Sequence, residues 1–113
     1  LKDKMKTGCV RHSQLLRKDI RTVAVLGGSG SFAIEAAKRA GADAFVTADL
    51  KYHDFFKAEN KILLADIGHY ESEQYTKDLL VNVLTKKISN FAAALPEGRI
   101  VLSQTNTNPI SYY

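Results

Sequence analysis

Ile62-Leu63-Leu64-Ala65-Asp66-Ile67-Gly68-His69-Tyr70-Glu71-Ser72-Glu73 is the stretch that decides the fold. An apolar run leads into Gly68, and His69 and Glu73 then stand four residues apart at the head of a helical pattern. The reading is a strand that stops, a backbone that turns on a glycine, and a helix that opens with an imidazole and a carboxylate on one face. Side chains at i and i+4 of a helix lie one above the other. That spacing presents a nitrogen and an oxygen to one metal ion, or lets a carboxylate orient an imidazole. A first-turn acidic residue favoured by the helix dipole, next to a surface histidine, gives the same pattern. The four-residue spacing alone does not choose between these readings.

Upstream, Thr22-Val23-Ala24-Val25-Leu26 is an unbroken apolar run that reads as a buried strand ending on Gly27-Gly28-Ser29-Gly30-Ser31. A helix is expected over residues 31–39, with Ser29 or Ser31 as its cap and Gly41 where a C-terminal glycine belongs. Residues 44–47 read as a second strand. Asp49 is placed to cap a helix over residues 50–58, and residues 62–67 form the third strand. The longest helix is expected over residues 70–88, where Tyr75, Leu79, Leu80, Val83, Leu84 and Ile88 keep helical spacing. Pro96, Glu97 and Gly98 read as a turn, residues 99–102 as a final strand, and residues 105–110 as an extended tail, since Pro109 disfavours helix at Asn108. At the other end, residues 1–7 read as the end of a helix broken by Gly8, residues 9–13 as a short edge strand, and residues 14–21 as a polar connection.

Strand alternating with helix is the order of an α/β, three-layer domain with a mostly parallel sheet. Ligands of such sheets collect beyond the carboxyl ends of the strands. Three polar stretches fall at those ends: residues 27–31, Asp49-Leu50-Lys51-Tyr52-His53, and residues 68–73. Their convergence on one rim marks it as the place to look for a site.

Composition narrows the partners. With 113 residues, 45% hydrophobic and 25% charged, the chain has the make-up of one globular domain with a modest core. No apolar stretch nears the roughly 20 residues that span a bilayer. The net charge of +4 is uneven: residues 1–21 hold seven Lys and Arg against Asp3 and Asp19, and the remainder is near neutral. A solvated segment accounts for this as well as a phosphate-binding arm does, so no nucleic-acid surface is assigned. One cysteine, Cys9, cannot form an internal disulfide and fits a reducing, cytoplasmic compartment.

The rim residues admit several chemistries. Gly28-Ser29-Gly30-Ser31-Phe32-Ala33, with Asp49 nineteen residues past Gly30, is like a dinucleotide-binding fingerprint, so the glycine turn is a candidate phosphate cradle. A tight turn alone explains the glycines equally well. Asp49 and His53 repeat the four-residue spacing with acid and imidazole reversed. A Ser29-His53-Asp49 triad lacks the Gly-x-Ser-x-Gly elbow that would support it.

Four stretches in order complete the reading: residues 27–32, residues 47–54, residues 66–73, and Thr107-Asn108-Pro109-Ile110. Together they are similar to the NGG-interacting-factor-three-like family, whose members are often named GTP cyclohydrolase I type 2 homologues. The likeness covers residues 22–113. It implies a two-lobed α/β protein with a dinuclear metal site between the lobes, assembled as a ring-like homohexamer. The family's Gly-His-x-x-x-Glu motif falls on Gly68, His69 and Glu73, which implies that His69 and Glu73 are metal ligands. Its Asp-x-x-Tyr-His segment falls on Asp49 to His53 and would line the same cleft, with His53 and Asp49 as catalytic candidates. The family's other ligands come from a His-His-Pro stretch and an acidic residue in a first lobe, and this chain has no His-His pair. It reads as the C-terminal lobe, residues 22–113, preceded by a linker and edge segment, residues 1–21.

The resemblance therefore implies a metal-dependent hydrolase resembling GTP cyclohydrolase, using two divalent ions. An imidazole and a carboxylate do not distinguish zinc, iron and manganese. Gly28, Ser29, Gly30 and Ser31 would then hold the phosphate of a nucleotide or another small-molecule ligand. A non-enzymatic metal-binding scaffold or regulatory partner-binding protein is the alternative, and a dinucleotide binder without metal is a third reading.

Overall fold

The computed structural model describes residues 1–89 and 100–113. Its elements are α1 (Lys2–Met5), β1 (Arg11–His12), β2 (Val23–Ser29), a 3-10 turn (Ser31–Ala33) running into α2 (Ile34–Arg39), β3 (Ala44–Ala48), a 3-10 helix (Tyr52–Ala58), β4 (Leu63–Asp66), α3 (His69–Glu73) and α4 (Thr76–Ser89). The sheet order is β1-β4-β3-β2. β2 and β4 flank β3 in parallel, and β1 joins β4 antiparallel through Arg11 opposite Asp66 and His12 opposite Ala65. The fold is α/β with a mixed sheet. β1 falls where a short edge strand is expected over residues 9–13 and is a hydrogen-bonded edge of that sheet, and Ser13 extends the tie in both directions to the backbone of Leu64.

The described residues form two compact units, Leu1–Glu73 with Tyr112–Tyr113, and Gln74–Ser111. In the first, the core lies on one face of the sheet. The register sets Ala24 beside Phe45 and Phe45 beside Leu64, so these side chains share a face. Ile34 and Ala37 of α2, with Leu50, Ala58 and Ile62, close over it. On the opposite face of β2, Val23 and Val25 are 51% and 74% exposed. The expectation of a buried strand over residues 22–26 is thus corrected. β2 is an outer strand of this sheet, and only its Ala24 and Leu26 pack against the core. It also runs on through the glycines to Ser29, with an irregular register against β3 between Val25 and Ser29.

Helix ends explain further differences. α2 closes as expected on Gly41, with φ 76°. The Gly41 N–H donates to Lys38 O and the Ala42 N–H to Ala37 O, which satisfies two terminal carbonyls. Its start carries no serine cap: Ser29 belongs to β2, and Gly30 precedes the 3-10 turn without a side-chain hydrogen bond. The helix expected over residues 50–58 is wound as 3-10 from Tyr52. Asp49 does not cap it. Asp54 does, accepting the Lys51 N–H at 3.0 Å and an ion pair from Lys57 at 2.7 Å. The long helix expected over residues 70–88 is broken after Glu73 and resumes at Thr76.

In the second unit α4 leaves Leu79, Leu80, Val83 and Leu84 exposed, and Lys77 Nζ donates to Ser103 O at 3.2 Å. Residues 100–102 form no strand. Residues 103–110 instead fold on local bonds in which Ser103, Asn106 and Asn108 side chains accept the N–H two residues ahead. Arg99 and the expected turn at Pro96, Glu97 and Gly98 lie outside the described residues.

One surface contact ties strand entry together. Asp43 accepts the N–H of Arg21 and of Thr22, each at 3.0 Å, and pairs with Lys18 at 2.6 Å. The lysine and the two N–H groups hold its carboxyl far below the usual carboxylate range. A depressed folded pKa means stability that is present above the unfolded value of about 4 and is lost as pH falls through the folded value. Asp43→Asn should therefore lower Tm at neutral pH, and the gap to wild type should shrink in strong acid. Thermal melts across that range check this; a gap independent of pH would contradict it.

Candidate functional site

Three chain segments meet at the carboxyl ends of β2, β3 and β4. Asp49 follows β3 with φ 57°, a left-handed conformation that non-glycine residues seldom adopt. Gly68 follows β4 with φ 91° and turns the chain into α3, whose first residue is His69. Gly28, with φ 67°, lies in β2 against them.

His69 Nδ1 lies 2.6 Å from Asp49 Oδ2, and its Nε2 lies 3.3 Å from Glu73 Oε2. The spacing read from the sequence thus places imidazole and carboxylate together, each about half exposed. A Cβ added to Gly28 would meet Glu73 Oε1 at 2.5 Å and His69 Cε1 at 3.4 Å, so glycine is what lets β2 approach the pair. Ser72 ties the helix to that strand: its Oγ accepts the Gly28 N–H and donates to His69 O, both at 2.8 Å.

The electrostatics follow from the donors available. With Asp49 accepting from Nδ1, the other ring nitrogen faces a carboxylate. A neutral imidazole would there set a lone pair against lone pairs. The arrangement calls for a shared cation, either a proton on Nε2 or a metal ion. Accordingly the hydrogen bond to Asp49, and the charges of Asp49 and Glu73, raise the His69 pKa against the opposing effect of burial. An imidazole nitrogen beside a carboxylate oxygen, with a second carboxylate on the far nitrogen, is a donor set that suits a divalent ion. Among the described residues, no group of three or more His, Cys, Asp and Glu is arranged to hold a metal. The chain thus offers two facing donors, and Asp49 stands behind one of them.

The other candidates separate. Asp49 lies outside the 3-10 helix, so helical spacing does not relate it to His53, and its carboxylate goes to His69. His53 is exposed, its ring 5.1 Å from Tyr52 and 6.2 Å from Phe56 between centroids. Two N–H groups of the phosphate cradle expected at Gly28, Ser29, Gly30 and Ser31 are engaged within the chain. The Gly28 N–H is held by Ser72 and the Gly30 N–H by Ala48 O at 3.3 Å, and a six-residue helix follows only after a 3-10 turn. Sequence reading missed the pairing of Asp49 with His69 and the role of Ser72. The available signal was that Asp49 and His69 both follow neighbouring parallel strands.

Comparison with known proteins then identifies the chain. Residues 1–109 match the Duf34/NIF3 (NGG1p interacting factor 3) family. The chain belongs to this family. Among its NIF3 relatives, a GTP cyclohydrolase 1 type 2 homolog of Staphylococcus epidermidis is 38% identical over 104 residues, covering 91% of this chain and 27% of that protein. Another of the same name, from Campylobacter jejuni, is 32% identical over the whole of this chain and 42% of its own length. The crystal structure of a Bacillus cereus protein related to NIF3 superposes with a TM-score of 0.86 at 32% identity, over 99% of this chain and 30% of that one. The chain thus spans between about a quarter and two fifths of these NIF3 relatives. No helix among the described residues is long and apolar enough to cross a membrane.

Proposed function

We propose that this chain supplies one side of a metal centre, with His69 Nε2 and Glu73 as ligands and Asp49 orienting the imidazole. The single observation that carries the reading is the facing of Nε2 and Glu73 Oε2 at 3.3 Å while Nδ1 is held by Asp49 at 2.6 Å. Asp49 keeps the ring from rotating and sets which nitrogen is free. Gly28 and Ser72 hold the strand close and fix the start of the helix.

The remaining ligands would come from outside the residues described, in a second lobe of a three-layer, two-lobed subunit. The fraction of the relatives' length that this chain spans supports that arrangement. The family resemblance extends it to two divalent ions, zinc, iron or manganese, in a cytoplasmic homohexamer. Bound there, such ions would supply Lewis acidity and a water of lowered pKa. The name carried by the relatives favours a hydrolase acting on a nucleotide, with His53, exposed beside Tyr52, moving a proton or contacting substrate.

Nucleotide turnover by the intact, metal-loaded protein tests the reading. Metal-dependent product formation is expected. His53→Ala should slow it by roughly ten- to a hundredfold or more, the usual weight of a general acid or base, and leave metal content unchanged. Metal retained without turnover would favour the scaffold or partner-binding alternative.

A further inference from the structure

We propose that Asp66 is a positioning residue of this site, a single carboxylate that bridges the loop carrying Asp49 to the loop carrying His69. The proposal rests on the metal-site reading for its purpose, but on its own geometry for its substance.

Asp66 ends β4 and is 4% exposed. Its Oδ2 accepts the Leu50 N–H at 2.9 Å, and its Oδ1 accepts the Gly68 N–H at 3.0 Å. Leu50 is the residue after Asp49, and Gly68 is the residue before His69. The two peptide groups therefore hang from opposite oxygens of one side chain. Arg11, from the antiparallel edge strand, pairs with Asp66 Oδ2 and also donates to Leu50 O at 2.8 Å. Both polar groups of Leu50 are thereby fixed, and its side chain is buried in the core. Asp49, which is not a glycine, occupies the left-handed region. Such conformations persist where surrounding contacts over-determine them, and here the contacts come from Asp66 and Arg11. A buried charge needs this degree of pairing. The charge of Asp66 is spent on holding two loops in register, and His69 and Asp49 then meet at 2.6 Å.

Asp66→Asn is the informative change. An amide has one acceptor oxygen, and its NH2 group would face a donor, so it cannot serve both loops. The His69 Nδ1–H resonance in 1H–15N spectra of the protein without added metal reports the bond to Asp49. Asp66→Asn should displace or broaden it as Asp49→Asn does, with the strand amides in place. Zinc affinity by calorimetry should fall by about 10- to 100-fold, the range for groups that orient a ligand. The double variant should lose little beyond the larger single loss, because both act through His69.

A folded Asp66→Asn protein whose His69 resonance stays at the wild-type position would overturn the proposal. Should that variant fail to fold, amide exchange in the wild type decides. The Leu50 and Gly68 N–H groups lie outside helix and strand, yet should be strongly protected, and exchange at the unprotected rate would overturn it. His69→Gln separates the two readings. If it keeps wild-type zinc affinity, the metal assignment fails, while the His69 resonance still decides the role of Asp66.

Discussion

Glu73→Gln should lower the zinc affinity of the intact protein by more than about a hundredfold. Loss of a group that only orients a ligand costs about 10- to 100-fold in affinity, and Glu73 is read as a ligand itself. The substitution keeps shape and hydrogen-bonding capacity but removes the charge that shares a cation with His69 Nε2. Because Glu73 is about half exposed, stability should move by no more than about 0.5 kcal/mol. If the protein is a hydrolase, turnover should fall by roughly a hundredfold or more, since the Lewis acidity at stake is worth several kcal/mol and each 1.36 kcal/mol is about tenfold in rate. Calorimetry with zinc and a thermal melt of the same sample check both halves. Unchanged zinc affinity in a folded variant would count against the ligand role.

Phe45→Ala should be the most damaging core substitution. Phe45 sits in β3, between β2 and β4, is 2% exposed, and lies in the cluster formed by Ile34, Ala37, Leu50 and Leu64. Truncating a buried phenylalanine costs about 3–5 kcal/mol from lost transfer energy plus the cavity left behind. For a domain of this size that amounts to a fall in Tm of about 12 °C or more. Val25→Ala removes a side chain of the same sheet that is 74% exposed, and should change stability by no more than about 0.5 kcal/mol. Chemical denaturation of the pair measures the contrast. Equal losses at the two positions would show that the open face of β2 is packed after all.

The contrast also shows what the amino-acid order made legible. β3 and β4 were readable because both carry short apolar runs beside turn residues, the pattern of strands buried on both sides. β2 carries a similar run but sits at the end of the sheet order, and position within a sheet is not written in local hydrophobicity. His69 and Glu73 were found because their relation is local, four residues along one helix. The bond from Asp49 to His69 joins residues twenty apart, in the segments that follow β3 and β4, so only the parallel pairing of those strands reveals it. Asp49 looked like a helix cap because aspartate favours that role, but its left-handed backbone and its bond to His69 leave Asp54 to cap the 3-10 helix. The glycine turn matched a phosphate motif in letters. The Gly28 and Gly30 N–H groups, however, are taken by Ser72 and Ala48, partners that no spacing rule could name.

The central claim is that His69 and Glu73 hold one metal ion while Asp49 holds the imidazole from behind. A crystal structure of the intact protein grown with zinc, with anomalous data collected at the zinc edge, tests it most directly. An anomalous peak is expected about 2.0–2.2 Å from both His69 Nε2 and a Glu73 carboxylate oxygen, with Asp49 still bonded to Nδ1. A fully occupied peak that neither His69 nor Glu73 touches would contradict it.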